Sequence, residues 1–208
     1  MEMEKQENSA VVDVIKWVKR NKKPFFLSLI SVIVIALVIV FVCVRIQMAN
    51  TAASDKLNIA TQFISNGNLD QGFALIDDII AKYNNTSAAY RAIIIKASTL
   101  IFQKKYVEAE SLLKSYIEKA KPDIVKPIGY PLLVTTYDNM ENIEQAIAVS
   151  KEFLSKYPDN YLVPSVMENM ARLYTLSGKD DEAKQTYQDI VDKFPETIYA
   201  NRASEKLQ

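Results

Sequence analysis

A period of 37 residues governs this chain from about residue 52 onward. Gly72, Ala109, Ala146 and Ala183 stand 37 residues apart. Two further columns keep the same step, Ala60, Ala97, Val134 and Ala171, then Phe63, Leu100, Tyr137 and Tyr174. The flanks hold the register, since the run from Asn68 to Gly72 (NLDQG) matches that from Asn142 to Ala146 (NIEQA), and Val107-Glu108-Ala109 ends like Asp181-Glu182-Ala183. Blocks close on Lys82-Tyr83-Asn84, Lys156-Tyr157-Pro158 and Lys193-Phe194-Pro195. A repeat of this length is one supersecondary unit that cannot bury its apolar face alone, so the stack is the unit of stability.

Each block reads as two antiparallel helices, A and B. In the clearest, Pro164 suits the first helical position and helix A runs through Val166, Met167, Met170, Ala171 and Tyr174 to a stop at Ser177-Gly178. Asp180 is expected to cap helix B, whose stripe is Ala183, Tyr187, Ile190 and Val191. Small residues belong where the two helices cross, because only short side chains let backbones approach closely. In the third block Pro122, Pro127, Gly129 and Pro131 delay helix A to about Tyr130, which predicts a longer connection and a shorter helix. Beyond Pro195, Thr197 is expected to cap a last helix whose Ile198, Ala200 and Leu207 cover the end of the stack.

The pattern resembles the tetratricopeptide repeat (TPR), through Ala171, Tyr174, Gly178, Ala183, Tyr187 and Pro195. The resemblance covers about residues 52 to 197 and implies an all-α, right-handed solenoid of about four helix-turn-helix repeats with a C-terminal capping helix. Two features depart from the family pattern. The period is 37 against a norm of about 34, and the large residue early in helix A is Ile93, Tyr130 or Met167, never Trp. A related α-hairpin repeat is the alternative.

A second constraint precedes the repeats. From Pro24 to Val44 the chain runs for 21 residues without a charge. A helix of that length spans roughly 30 Å, the hydrocarbon thickness of a bilayer, and pairs its own backbone polar groups as lipid requires. The two serines are compatible, since each hydroxyl can bond a carbonyl one turn earlier. A cleaved signal peptide is disfavoured because the apolar core is too long and Arg45 closes it. A lipoprotein signal is disfavoured because Phe41 and Val42 precede Cys43. The expected organisation is a tail over 1–23, a transmembrane helix over 24–45 and an exported domain over 46–208. Lys16, Lys19, Arg20, Lys22 and Lys23 crowd the first flank, which by the positive-inside rule keeps the N-terminus cytoplasmic and places the repeats in the periplasm. Ser9 offers a cap for a short amphipathic helix lying on the cytoplasmic leaflet with Trp17 near the headgroups. A plain extension of the anchor, interrupted near Asn21 to Pro24, is the alternative. No strong breaker falls between Arg45 and Asn66, so the span is expected to run almost directly into the first helix A.

Composition narrows the function. Basic and acidic residues number 25 each, and the exported part is near neutral, which argues against a nucleic-acid partner. Histidine is absent and the single cysteine lies in the apolar run, removing the commonest general base, the commonest metal ligand and any disulfide framework. The acidic spots Asp77-Asp78 and Asp180-Asp181-Glu182 are commonplace first-turn or surface acids, and neighbours in sequence do not face one way on a helix. The four glycines form no phosphate-binding loop and no nucleophile elbow. No catalytic residue, metal ligand or cofactor is expected, and the chain reads as a non-enzyme.

Surface remains. In TPR proteins helix A lines the inner face that takes up a peptide or a partner's helix, and the resemblance carries those positions here to Leu57, Thr61 and Ile64; Arg91, Ile94, Ser98, Ile101 and Phe102; Pro131, Thr135 and Asp138; and Glu168, Arg172 and Thr175. The layout as a whole, with an acidic start, the helix from Val11 to Arg20, a basic knot, one span and about four TPR-like blocks, looks like the YfgM-like family, the bitopic ancillary subunit of the bacterial Sec translocon. That resemblance implies an inner-membrane protein whose partners are the lipid bilayer, Sec translocon subunits, a membrane-anchored periplasmic peptidyl-prolyl isomerase chaperone and exported polypeptides. An envelope scaffold for a cell-wall or outer-membrane assembly factor is the other reading.

Overall fold

A computed structural model describes residues 16–208. The expected helix beginning at Ser9 lies mostly outside them, with only Lys16 to Arg20 seen as helix before a bend at Asn21. Two compact units divide the chain, Met1–Thr51 and Ala52–Gln208. All regular structure among the described residues is helical.

The first long helix, α1, is Lys22–Ser65, unbroken between Ile46 and Ser54. Its apolar segment is exposed all round, from Phe26 to Met48, and is long and apolar enough to cross a membrane. Ser28 Oγ donates to the Phe25 carbonyl at 2.8 Å and Ser31 Oγ to the Leu27 carbonyl at 2.9 Å, so neither hydroxyl is left unpaired along the apolar run.

The second unit is a stack of α-hairpins. The A helices are the Ala52 to Ser65 part of α1, then α3 (Ser87–Phe102), α5 (Gly129–Asn139) and α7 (Val163–Leu176). The B helices are α2 (Leu69–Lys82), α4 (Tyr106–Lys119), α6 (Ile143–Lys156) and α8 (Asp180–Lys193). A last helix, α9, is Ile198–Leu207. From α2 onward each helix packs on its successor, and the A helices α3 and α5 touch, as do α7 and α9.

The periodic columns become the hairpin interior. Ala60, Ala97, Val134 and Ala171 are at most 1 % exposed, and Ala109, Ala146 and Ala183 at most 3 %. In block one a Cβ on Gly72 would lie 2.5 Å from Ile64 Cγ1 and 3.1 Å from the Ala60 carbonyl oxygen. Each A–B turn is the same C-terminal motif. The amides of Asn68, Lys105, Asn142 and Lys179 each donate at 2.9 Å to the carbonyls of Phe63, Leu100, Tyr137 and Tyr174, so the aromatic and leucine column also closes the helix. The residue before each of those amides has positive φ, with Gly67 at 81°, Lys104 at 62°, Glu141 at 59° and Gly178 at 71°.

Three local expectations change. Helix α8 is capped by Lys179, whose side chain makes no cap bond, and Asp180 is its first helical residue. The turn motif fixes this, because the Lys179 amide is already bound to Tyr174 and its carbonyl takes the Ala183 amide at 3.0 Å. The delayed third A helix is seen, starting at Gly129, but its long connection is itself wound as a 3₁₀ helix over Asp123–Ile128. At the C-terminal end Thr197 caps α9, accepting from the Ala200 amide at 3.3 Å, yet Ile198 is 64 % exposed and Ala203, fully buried, covers the stack beside Ala200. Thr86 caps α3 in the same way, 111 residues or three periods earlier, so α9 stands where a fifth A helix would.

Candidate functional site: a partner-binding face

The face predicted from helix A divides into core, scaffold and groove. Leu57 is 1 % exposed and Ile64 packs on Gly72, so both belong to the hairpin interior and not to an open face. Ile94 and Ile101 are half-buried against the core. Thr61 and Thr135 are half-buried and spend their hydroxyls on carbonyls of their own helix. Pro131 is half-buried, while Arg91, Ser98 and Phe102 are exposed, Phe102 at 89 %.

Glu168, Arg172 and Thr175 come together. They line a groove of about 560 Å³ with Asn169 and Leu176 of α7, Tyr187 of α8, and Arg202, Glu205 and Lys206 of α9. One charge pair crosses it. Arg202 pairs with Glu168, its Nη2 donating to Oε2 at 2.8 Å while Nε lies 2.8 Å from Oε1. Arg172 reaches back one A helix to Asp138, and its Nε and Nη2 also donate to Asn169 Oδ1 at 3.1 and 2.7 Å. Tyr187 forms the floor, and burial pushes its hydroxyl above the usual phenol range, with the Glu168 charge adding to this. The groove is a mixed-charge cleft with an aromatic base.

A second groove of about 410 Å³ is apolar. Ser87, Tyr90, Arg91, Ile94 and Ile95 of α3 face Tyr116 of α4 and Val125 and Ile128 of the 3₁₀ segment. Tyr116 Oη donates to the Val125 carbonyl at 2.7 Å, tying the segment down, and burial raises that phenol to about 12. The sequence reading missed α9's contribution to the first groove. The period contains the signal: Glu205 follows Glu168 by 37 residues and Arg202 follows Arg91 by 111, so both continue columns that the TPR resemblance assigns to the inner face.

On the B side, polar pairs serve packing. Glu152 accepts from Tyr130 Oη at 2.9 Å and from Lys156 Nζ at 2.8 Å, beside the tilted and edge-to-face rings of Tyr130, Phe153 and Tyr157. Among the described residues no three acidic or thiol side chains are placed to hold one metal ion.

A stacked α-hairpin array with an open, polar-rimmed groove defines a class of protein-binding modules. The family profile described as "Tetratricopeptide repeat-like domain" matches residues 16–207, and the chain belongs to that family. No curated protein matches it. Among solved structures, a tetratricopeptide repeat protein from Parabacteroides merdae is similar with a TM-score of 0.59 at 15 % identity, over 76 % of this chain and 59 % of that one. TPR-like repeats of a Podosopora anserina kinesin light chain give 0.58 at 12 %, over 76 % and 84 %. MamA from Desulfovibrio magneticus gives 0.52 at 14 %, over 67 % and 74 %. At these identities the likeness concerns the fold.

Proposed function

We propose that this protein is a non-enzymatic, membrane-anchored interaction module of the bacterial inner membrane. Its N-terminus is cytoplasmic, its repeats are periplasmic, and it serves as an ancillary subunit that links the Sec translocon to chaperones for exported proteins. The observation that carries the reading is the pairing of an uncharged 21-residue run with a repeat stack bearing an open groove, both inside one family match over residues 16–207. The basic flank before the run supports the orientation. A tether makes sense for such a surface, because confinement to the membrane raises its effective concentration for other membrane-bound partners without new contacts.

The test is affinity purification after extraction in mild detergent. The expected result is recovery of Sec channel subunits together with a membrane-anchored periplasmic isomerase. Recovery of a cell-wall or outer-membrane assembly factor in place of both would establish the envelope scaffold.

A further inference from the structure

The apolar groove beside the 3₁₀ segment originates in a missing turn of helix. One period after Ser87, where α3 begins, stands Ile124, and one period before Val163, where α7 begins, stands Lys126, yet α5 starts only at Gly129. Over Asp123–Ile128 the chain winds as the tighter 3₁₀ helix instead. The first half of α3 therefore meets Val125 and Ile128 across a gap of about 410 Å³. Ser87, Arg91, Ile94 and Ile95 follow one another at i, i+4, i+7 and i+8, so they line the gap as one face of α3 over roughly 12 Å. That face is graded from polar to apolar. Arg91, exposed, is the one charged residue of the lining, and no carboxylate pairs with it among the described residues. Half-buried Ile94 and Ile95 follow a turn further on, and Ile128 of the other wall is 42 % exposed.

We propose that this groove binds a long-chain fatty carboxylate, its acyl chain lying along Ile94, Ile95, Val125 and Ile128 and its head group on Arg91. A guanidinium presents a planar fork that matches the two oxygens of a carboxylate. An acyl chain takes from water the apolar surface that both walls expose, and the volume falls within the roughly 300–1,000 Å³ of small-ligand pockets. A peptide fits worse. Each of its residues would bring an N–H and a C=O that must be paired once out of water, and the side chains of Ile94, Ile95, Val125 and Ile128 offer no partner. Tyr116 is already committed, since its hydroxyl donates to the Val125 carbonyl at 2.7 Å. The remaining side-chain donors of the lining are Ser87, Tyr90 and Arg91, all within five residues of α3, which suits one head group and not a backbone running the length of the groove. An acyl chain has no such groups to satisfy. The site is separate from the mixed-charge groove of α7 to α9 and needs no partner at the translocon.

The full chain is placed in phosphatidylcholine nanodiscs with palmitate carrying a photoactivatable diazirine on its chain, and labelled peptides are mapped by mass spectrometry. The expected result is labelling of the α3 and 3₁₀ peptides that unlabelled palmitate displaces. Arg91→Gln changes an exposed side chain, so circular dichroism should be unaltered while the probe concentration for half-maximal labelling of these peptides rises on the order of tenfold. Labelling of the run from Pro24 to Val44 reports probe dissolved in the bilayer and should not respond to Arg91→Gln, which sets the reference. Labelling confined to that run overturns the proposal. Hexadecanol, which keeps the chain and lacks the charge, should displace the probe about tenfold less well than palmitate, and equal displacement overturns the role of Arg91 and with it the carboxylate. An apolar peptide with a free C-terminal carboxylate that displaces the probe better than palmitate would assign the groove to a peptide and overturn the proposal.

Discussion

Glu141, with φ of 59°, holds the place in its turn that Gly178, with φ of 71°, holds 37 residues later. Both carry the amide one residue before the one that closes the same C-terminal motif onto Tyr137 or Tyr174. Backbone shape is conserved through the stack while the side chain best suited to it is not. A left-handed residue with a Cβ costs about 1 kcal/mol, and nothing lies within 4 Å of the Cβ position at Gly178, so packing does not enter. Glu141→Gly and Lys104→Gly should each raise unfolding free energy by about 0.5–1 kcal/mol, and Gly178→Ala should lower it by about 1. Urea unfolding of the detergent-solubilised chain, followed by circular dichroism with an unchanged slope, checks this. A loss of stability in both glycine variants would show that their side chains matter.

Gly72 answers a different need. The Cβ of alanine there would press on Ile64 Cγ1 at 2.5 Å, so Gly72→Ala should cost about 1–3 kcal/mol although alanine is the better helix former. Ile64→Ala removes that atom. The double variant should be more stable than the sum of the two losses implies, and a cycle with no coupling would exclude the contact as the cause.

The response to pH follows from the polar pairs. Lys114 first, then the Tyr137 hydroxyl, hold Glu110 below its ordinary 4.5, and Lys156 and Tyr130 act likewise on Glu152. A carboxyl depressed in the fold contributes stability that is present above its unfolded value and lost as pH falls through its folded value. Stability should decline from about pH 5 downward, and Glu152→Gln should flatten part of that limb. Phenols behave oppositely. Burial raises Tyr116 to about 12, so its contribution is full below its ordinary 10.0 and fades as pH rises past it. With no histidine in the chain, stability between about pH 6 and 8 should be flat, measured by thermal melts across that range.

Most of the architecture was legible because stacking imposes one geometry on four blocks. Small-residue columns mark the crossings and a column of aromatics and leucine marks the turn, and both are periodic for that reason. What escaped were positions set by backbone alone: Lys104 and Glu141 adopt a glycine conformation with no sign of it in their identity. Asp180 looked like a cap because aspartate caps helices, yet the turn motif had already assigned that place to Lys179. Ile198 was expected to be buried as a large apolar residue, but it follows a capping threonine on the outer edge, where Tyr161 is exposed one period earlier. For the face, the TPR resemblance places Glu168 and Arg172 but does not show that Leu57 turns into the hairpin, because the first A helix is read at the end of a long apolar helix without flanking signals.

The Glu168–Arg202 pair separates recognition from scaffolding. It is close but partly exposed, with side-chain exposures of 27 and 49 %, so its contribution to folding is about 1 kcal/mol or less. Arg202→Glu sets two carboxylates against each other and removes a cation from the groove. It should lower stability slightly and reduce co-purification of the proteins that the unaltered chain retains in mild detergent. Exchanging the charges, Glu168→Arg with Arg202→Glu, restores the pair and hence the stability. If partners read the groove's own charge pattern, their recovery stays low in the exchanged variant. If recovery returns with stability, the pair only holds α7 to α9 and the partner sits elsewhere on the stack.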